Sequence, residues 1–314
     1  MMRTPKKYPA FTRTELCVVL GLVMLLASTA LPAIQKARLD SRQVACKNNL
    51  KQLGLALHNY HDVYNSFPPG WVSGTPDAKG SQSWGWQCGI LPYVDQAALY
   101  NTMFEIEHNM ELINTPGFQS TELGEILTTS MPPYRCPSDK IQQSNPYRGG
   151  WGVSNYSGNF GTKPIARWGT TQSSSNWPGQ VPTTQPIGRR QSTSSDGMMW
   201  VDSSVGFNEV DDGSSNVILL GERSHYSHAG IWIGPRSNYH ESDAVTDGSH
   251  ASRPNRSQSG FSAEHGDILF VLMCDGSTRP LHPDIESRAD GTGLFQRLMS
   301  RNDGEPVDEF YSEF

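Results

Sequence analysis

The sequence predicts an α+β protein, in which one long N-terminal helix packs on an antiparallel β-sheet and a larger β-rich body follows. Three observations predict this fold. A charge-free apolar run lies near the N-terminus, a helical apolar repeat continues from it, and after residue 69 the apolar runs are short and bounded by turn residues. With 314 residues, 36% of them hydrophobic, the chain is long enough to bury a core.

Charge is divided unevenly along the chain. Residues 1–65 hold nine Lys and Arg against three Asp and Glu, whereas the rest holds 16 against 28, a formal charge of −12. An acidic body lacks the clustered cations that contact phosphates, so no nucleic-acid partner is expected. The basic stretch 36–51 is suited to contact anionic lipid headgroups.

The first half of the helix is predicted to span a membrane. No charged residue occurs in positions 16–34, and these nineteen residues would cover about 28 Å as a helix, close to the hydrocarbon thickness of a bilayer. A cleaved secretory signal is the alternative, because basic residues precede the run. The run is long for a signal and continues without a polar break into a helical pattern, which favours the membrane span.

The second half of the helix is predicted to be amphipathic. Spacings of three and four residues place one set of side chains on a single face, namely Cys46, Leu50, Leu53, Leu57, Tyr60 and Tyr64. Pro32 predicts a kink, and the sequence SFPPGW from Ser66 ends the helix. We therefore expect one helix from about residue 12 to 64, with its apolar face against the chain's own sheet.

The remaining chain is predicted to be mostly β. Strands are expected at 217–220, 231–233 and 268–274, and one short helix at 94–109. The pair Asp275-Gly276 predicts a hairpin with a tight primed turn, which needs positive φ angles. The segment 169–197 is poor in aliphatic residues and rich in Ser, Thr, Gln and Pro, so it is predicted to be an exposed excursion.

No motif predicts catalysis. The sequence has neither a Gly-x-Ser-x-Gly elbow nor a Gly-rich phosphate loop followed by Lys, so we expect no enzyme and no cofactor. His265 and Asp275 could form an acid/base or metal-binding pair, but no nearby residue completes a ligand set or supplies a nucleophile. A second set of polar residues matches no compact metal-binding loop: His225, His228, Asp243, Asp247 and His250. No metal site is assigned, although an acidic body would tolerate calcium.

The aromatic and sulfur residues leave alternatives open. The eight tryptophans are interpreted mainly as core, and the alternative is a platform that stacks on sugar rings. Cys17 lies in the predicted span. Three disulfide pairings remain for the other cysteines, which are Cys46, Cys88, Cys136 and Cys274. No Cys-x-x-Cys occurs, so zinc is not predicted.

The stretch KKYPAFTRTELCVVLGL, residues 6–22, resembles a type IV prepilin signal. Basic residues precede a small residue at the cleavage position, Ala10, and Phe11 would then begin the mature chain with Glu15 at its fifth position. Arg13 stands where such signals usually have an apolar residue and offers Glu15 a partner within its own chain.

Longer segments resemble a large bacterial family of prepilin-type proteins, abundant in planctomycetes, whose solute-binding-like ectodomain has no known function. The matching segments are ACKNNLKQLGLALHNYHDVYNSFPPG (45–70), GWQCGILPYVDQAALYN (85–101), CPSD (136–139), SNYSGNFGT (154–162) and DGSSNVILLGER (212–223). The spacing of His265, nine residues and then Asp275-Gly276 is similar to that family's C-terminal signature. The resemblance covers nearly the whole chain outside the polar excursion.

The resemblance implies a pseudopilin-like membrane protein with a pilin-like fold. Residues 1–10 would be the leader, 11–35 the membrane span, 36–66 the amphipathic part of the helix and 67–314 the ectodomain. A prepilin peptidase and methylase would process Ala10 and Phe11 on the cytoplasmic side, leaving the body periplasmic or extracellular. Glu15 would pair with the Phe11 amine of another pilin-like subunit. The implied role is structural, in a type II secretion or type IV pilus-like assembly; the alternative is an anchored solute- or saccharide-binding module.

The resemblance also suggests a disulfide pattern. Cys46 and Cys136 lie in family motifs, whereas Cys88 and Cys274 stand where the family usually has other residues. We therefore expect disulfides 46–136 and 88–274.

Overall fold

The computed structural model describes residues 12–72, 84–106, 117–141, 143–163, 195–235, 244–257, 259–265, 268–305 and 307. The helices are α1 (Arg13–Tyr64), α2 (Trp86–Gly89), α3 (Ala97–Ile106), α4 (Glu122–Thr128) and α5 (Leu294–Met299). The strands are β1 (Ser144–Asn145), β2 (Trp151–Ser154), β3 (Tyr156–Gly161), β4 (Ile218–Glu222), β5 (Gly230–Ile231), β6 (Val245–Asp247), β7 (Leu269–Met273) and β8 (Thr278–Leu281). Short 3-10 segments include Leu91–Val94, Pro132–Tyr134 and His225–Ser227.

Helix α1 is one continuous element of 52 residues that includes Pro32. A capping box closes its first turn: Glu15 N–H donates to Thr12 Oγ1 at 3.3 Å, and Thr12 N–H donates to Glu15 Oε2 at 2.8 Å. Asn65 ends the helix in the left-handed region, with φ 57°, and its N–H donates to His61 O. The predicted α+β fold class, with its long N-terminal helix, is confirmed.

The two halves of α1 have opposite environments. No residue in 12–45 is buried, and large apolar side chains such as Met24, 69% exposed, face outward. Cys46 is the first buried residue, and the predicted apolar face is then buried as far as Leu57. The prediction was wrong for the end of this face, because Tyr64 is 54% exposed. In the described residues α1 is the one helix long and apolar enough to cross a membrane.

A five-stranded sheet forms the centre of the body, in the order β6-β3-β4-β7-β8. Its pairs are antiparallel except for β3 with β6, which run parallel. The sheet is therefore mixed rather than purely antiparallel. A smaller antiparallel sheet has the order β1-β2-β5.

The side chains of β7 show that the sheet is covered on both faces. Its side chains alternate, so Phe270 and Leu272 join the core that contains the buried end of α1, whereas Leu269, Val271 and Met273 join a second core with α5. A strand buried on both faces reads as the continuous apolar run seen at 268–274. The sheet thus lies between α1 and α5.

The predicted β7–β8 hairpin is present, but its turn differs from the expectation. Gly276 has φ 82°, whereas Asp275 does not have positive φ. Gly276 N–H donates to Met273 O and Met273 N–H donates to Ser277 O, which fits a type I turn followed by a bulge at glycine. A single left-handed residue is therefore enough, and the primed turn was a wrong prediction.

The other predicted elements are close to their observed bounds, apart from the strand predicted at 231–233. Strand β5 ends at Ile231, and Trp232 and Ile233 form a buried turn after it. Helix α3 begins three residues later than expected, at Ala97. Most of the polar excursion at 169–197 lies outside the described residues.

Candidate functional site

Several segments that carry the family resemblance meet beside the first buried residue of α1. Asn155 connects them: its Oδ1 accepts from Cys136 N–H at 2.9 Å, and its backbone carbonyl accepts from Arg223 N–H at 2.7 Å. The CPSD, SNYSGNFGT and DGSSNVILLGER segments therefore converge, although they are far apart in sequence. The residue that ends β4, Glu222, and the loop residue His265 complete the site.

A disulfide forms one wall of the site. Cys46 on α1 is bonded to Cys136 in the loop after the Pro132–Tyr134 turn, with 5.0 Å between their Cα atoms. This is the connectivity that the resemblance implied. Asn49 Nδ2 donates to Arg135 O at 2.7 Å, and Tyr156 Oη donates to Cys46 O at 3.1 Å, so the bond lies within a network of helix-to-loop contacts.

Glu222 and His265 form a buried pair beside this disulfide. His265 Nε2 lies 3.0 Å from Glu222 Oε1 and 3.1 Å from Oε2, and the two residues are 1% and 2% exposed. Phe270 N–H donates to Glu222 Oε2 at 2.7 Å, which fixes the carboxylate. Burial alone would lower the pKa of His265, but the hydrogen bond and charge of Glu222 outweigh it and raise that pKa.

These four side chains form a compact donor group, which we call the inner group: Cys46, Cys136, Glu222 and His265. One potential ligand atom from each residue lies within 4.8 Å of those of the other three, and all four residues are buried. The second ring nitrogen of His265, Nδ1, is buried and has no hydrogen-bond partner among the described residues.

An outer group lies on the solvent side and is formed by Asp139, His225 and Glu264. Asp139 accepts from Asn155 Nδ2 at 2.6 Å and from His225 N–H at 2.8 Å. Burial raises the pKa of Asp139 more than its backbone hydrogen bonds lower it. His225 Nδ1 lies 3.4 Å from Asp139 Oδ1 and 3.3 Å from Glu264 Oε1, so the ring sits between two carboxyl groups.

The space between the two groups is small. A cavity of about 10 Å³ is lined by residues of both, including Cys136, Asp139, Glu222 and Glu264. This volume holds about one water molecule. The arrangement can therefore bind a small ion or a proton, and it has no room for a sugar or metabolite.

The C-terminal signature residues do not form one site. His265 belongs to the inner group, whereas Asp275 and Gly276 lie in the turn at the other end of β7. Asp275 Oδ1 accepts from Ser277 N–H at 2.8 Å, and Gly276 supplies the positive φ of the turn. These two residues therefore have a local structural role, and a pair of His265 with Asp275 is not formed.

The second expected disulfide, between Cys88 and Cys274, is not formed. Cys88 Sγ donates to Trp232 O at 3.4 Å, while Cys274 is held at the end of β7, where its N–H donates to Val217 O at 2.9 Å. Burial raises the pKa of the Cys274 thiol well above its ordinary value, so this residue is a protonated core residue.

The processing residues are only partly described. Ala10 and Phe11 lie outside the described residues. Glu15 is exposed and acts in the capping box of α1, a role that the sequence interpretation missed although Thr12 stands three residues before it. No ion pair between Arg13 and Glu15 is found in the described part of the chain.

The remaining candidate residues are dispersed or buried. His225 joins the outer group, Asp247 Oδ1 accepts from Ser249 N–H, and His250 lies beside Ser287. These described members of the polar set do not assemble, and Asp243 lies outside the described residues. Among the described residues four tryptophans are buried, in agreement with the core interpretation: Trp71, Trp86, Trp151 and Trp232.

Sequence interpretation missed Glu222 as a site residue. It follows four apolar or small residues of β4 and was considered only as part of the DGSSNVILLGER segment. The available signal was a charged residue at the end of a short apolar run, because a charge that ends a buried strand needs a partner.

A family model described as "Protein of unknown function (DUF1559)", with the short name SBP_bac_10, matches residues 35–288. No curated protein and no solved structure matches the chain.

Proposed function

The chain belongs to the DUF1559 family of proteins of unknown function, and from that premise we propose that it is a non-enzymatic, membrane-anchored, pseudopilin-like structural protein. It would serve as a subunit or accessory of a type II secretion or type IV pilus-like assembly. Its partners would be membrane lipid, a prepilin peptidase and methylase, and other pilin-like subunits.

The two-part environment of α1 is the observation that carries this proposal. The first part presents exposed apolar side chains over residues 16–34, which a soluble monomer would not leave in water. The second part is fixed in the body through Cys46, Leu50, Leu53 and Leu57. A rigid helix that is continuous from anchor to body is suited to stack beside copies of itself within a membrane.

The disulfide supports the placement of the body outside the cytoplasm. A structural disulfide persists in the periplasm or outside the cell and is rare in the cytosol. Cys46 and Cys136 lie on the body side of the apolar span, so the N-terminus would remain cytoplasmic.

Glu15 gives the sharpest test of assembly, because its capping role and its charge can be separated. Glu15→Gln keeps an acceptor for Thr12 N–H but removes the charge, whereas Glu15→Leu removes both. If Glu15 pairs with a neighbouring Phe11 amine, both variants should reduce subunit-to-subunit cross-links in native membranes by at least about tenfold, because an unpaired intramembrane charge costs about 3 kcal/mol.

Intact mass and N-terminal sequencing of the native protein provide the companion measurement. A mature chain that begins at methylated Phe11 is expected. Retention of Met1, or cleavage near Ala30, would contradict the prepilin route.

In the Glu15 test, normal subunit cross-linking of Glu15→Gln would show that the Glu15 side chain serves only as a helix cap.

The alternative is an anchored module that binds a solute or saccharide, for which the family's short name gives some support. In the described residues its support is limited, since the cavity beside the inner group holds about one water molecule and four tryptophans are buried. A saturable hit from a glycan and metabolite screen of the full chain in lipid nanodiscs would favour this alternative.

A further inference from the structure

We propose that the inner group is a redox-controlled zinc site: with the Cys46–Cys136 bond reduced, Cys46, Cys136, Glu222 and His265 together bind one Zn²⁺. In the disulfide form the two sulfurs are bonded to each other and the site is closed to metal. The inference concerns the body of the protein and does not depend on whether the chain assembles through α1.

The donor set is the first argument. Two thiolates, one imidazole and one carboxylate are ligands that Zn²⁺ takes in tetrahedral sites. Here one potential ligand atom of each of the four residues lies within 4.8 Å of the others, before any metal has drawn them together. The four residues come from α1, from the loop after Pro132–Tyr134, from the end of β4 and from the loop before β7, so the folded body is what brings them together.

The surroundings of the disulfide are the second argument. A structural disulfide needs no ionisable neighbours, and burial of a carboxylate and an imidazole costs free energy unless both are well partnered. Here both side chains are almost fully buried against the sulfurs, and His265 Nδ1 is left without a hydrogen-bond partner in the described part of the chain. The ring and the carboxylate contact each other at 3.0 and 3.1 Å, and a metal at the centre of the group would bind both of them.

The supporting contacts suit metal ligands. Phe270 N–H holds Glu222 Oε2, and Glu222 Oε1 lies 3.0 Å from His265 Nε2, a contact that a metal bound by both residues would replace. The Phe270 ring lies 5.6 Å from the His265 ring and limits its rotation. Gln43 Nε2 donates to His265 O and ties the loop to α1. Contacts of this kind orient ligands in known metal sites, and their loss typically lowers affinity about 10–100-fold.

Reduction of the disulfide precedes metal binding. A dithiol reductant transfers two electrons and two protons to the Cys46–Cys136 bond and becomes a disulfide itself, leaving two thiols. Zn²⁺ then displaces both thiol protons and binds the two thiolates together with neutral His265 and ionised Glu222. A newly synthesised chain has reduced cysteines, so this form exists before oxidation.

Full-length protein in detergent tests the proposal, with Co²⁺ as a spectroscopic probe and Zn²⁺ measured by mass spectrometry. After reduction with a phosphine, we expect one metal ion per chain, thiolate-to-cobalt charge-transfer bands and the visible bands of tetrahedral Co²⁺. Cys46→Ser and Cys136→Ser should weaken binding by at least about tenfold. The matched controls are Cys88→Ser and Cys274→Ser, which remove other buried thiols and should leave the spectrum unchanged.

X-ray absorption on zinc-loaded reduced wild type keeps the proposal falsifiable if the variants do not fold. Two sulfur ligands at about 2.3 Å and two nitrogen or oxygen ligands at about 2.0–2.2 Å are expected. A shell without sulfur, no metal on the reduced folded chain, equal metal binding by the oxidised chain, or loss of the thiolate bands in either control would overturn the inference.

Discussion

Glu222 and His265 show how a single buried charge depends on several neighbours. The carboxylate meets the imidazole at 3.0 and 3.1 Å and also accepts from Phe270 N–H, so its acceptor sites are used on both oxygens. Removing one member of such a pair leaves the other buried without compensation. Breaking this pair should therefore cost more stability than breaking an exposed pair.

Glu222→Gln tests this at the scale of one residue. The change keeps the volume and an acceptor for Phe270 N–H but removes the charge that faces His265. We expect a loss of about 2 kcal/mol in the free energy of unfolding, measured by urea denaturation of the oxidised protein. The control is Asp284→Asn, which breaks a pair with Arg256 whose side chains are 62% and 54% exposed and should cost less than about 1 kcal/mol. Equal losses in the two variants would contradict the prediction.

At the scale of one element, Gly54 explains how α1 approaches the sheet. Glycine in a helix interior costs about 1 kcal/mol relative to alanine. A Cβ on Gly54 would lie 2.9 Å from Leu272 Cδ1 and 3.2 Å from Cδ2, and Leu272 is fully buried on β7. The missing side chain therefore allows the helix to pack closely on the strand.

Gly54→Ala should thus destabilise the body, despite its better helix propensity. Overpacking costs about 1–3 kcal/mol, which exceeds the gain from alanine, and we expect a net loss of about 1 kcal/mol. Thermal unfolding of the single variant, of Leu272→Val and of the double variant gives a mutant cycle. The loss of stability in the double variant should be smaller than the sum of the losses in the two single variants. Strictly additive losses would show that the contact with Leu272 does not limit how closely the helix packs.

The sequence predicts elements well where their signals are local. The spacing of Leu50, Leu53 and Leu57 and the SFPPGW stop place α1 within one residue of its observed bounds. The continuous apolar run predicts β7, because both of its faces are buried. Pairing is less accessible: β3 lies parallel to β6, and no local pattern specifies a partner strand that begins more than eighty residues later.

The site illustrates the same limit at the scale of the whole molecule. Cys46 and Cys136 were predicted as a pair from the family resemblance and His265 was singled out separately, yet no sequence spacing indicates that the three share one cluster. Glu222 and His265 are 43 residues apart, and Cys46 and Cys136 are 90 apart. Long-range packing of α1, the loops and the sheet brings them together, so the cluster is a property of the folded body.

The disulfide lies where the exposed half of α1 meets the body, which gives it a role in the stability of the whole molecule. Cys46 is the first buried residue of α1, and the bond closes a loop with a sequence separation of 90. A cross-link of this length restricts the unfolded chain, and loss of a native disulfide typically costs about 2–5 kcal/mol. We therefore expect Cys46→Ala/Cys136→Ala to lose about that amount in urea denaturation, measured with a chelator so that no metal contributes. Cys17→Ala, which removes an exposed thiol outside the body, should change stability by less than about 0.5 kcal/mol. A double variant as stable as the oxidised wild type would mean that helix-to-sheet packing alone joins α1 to the body.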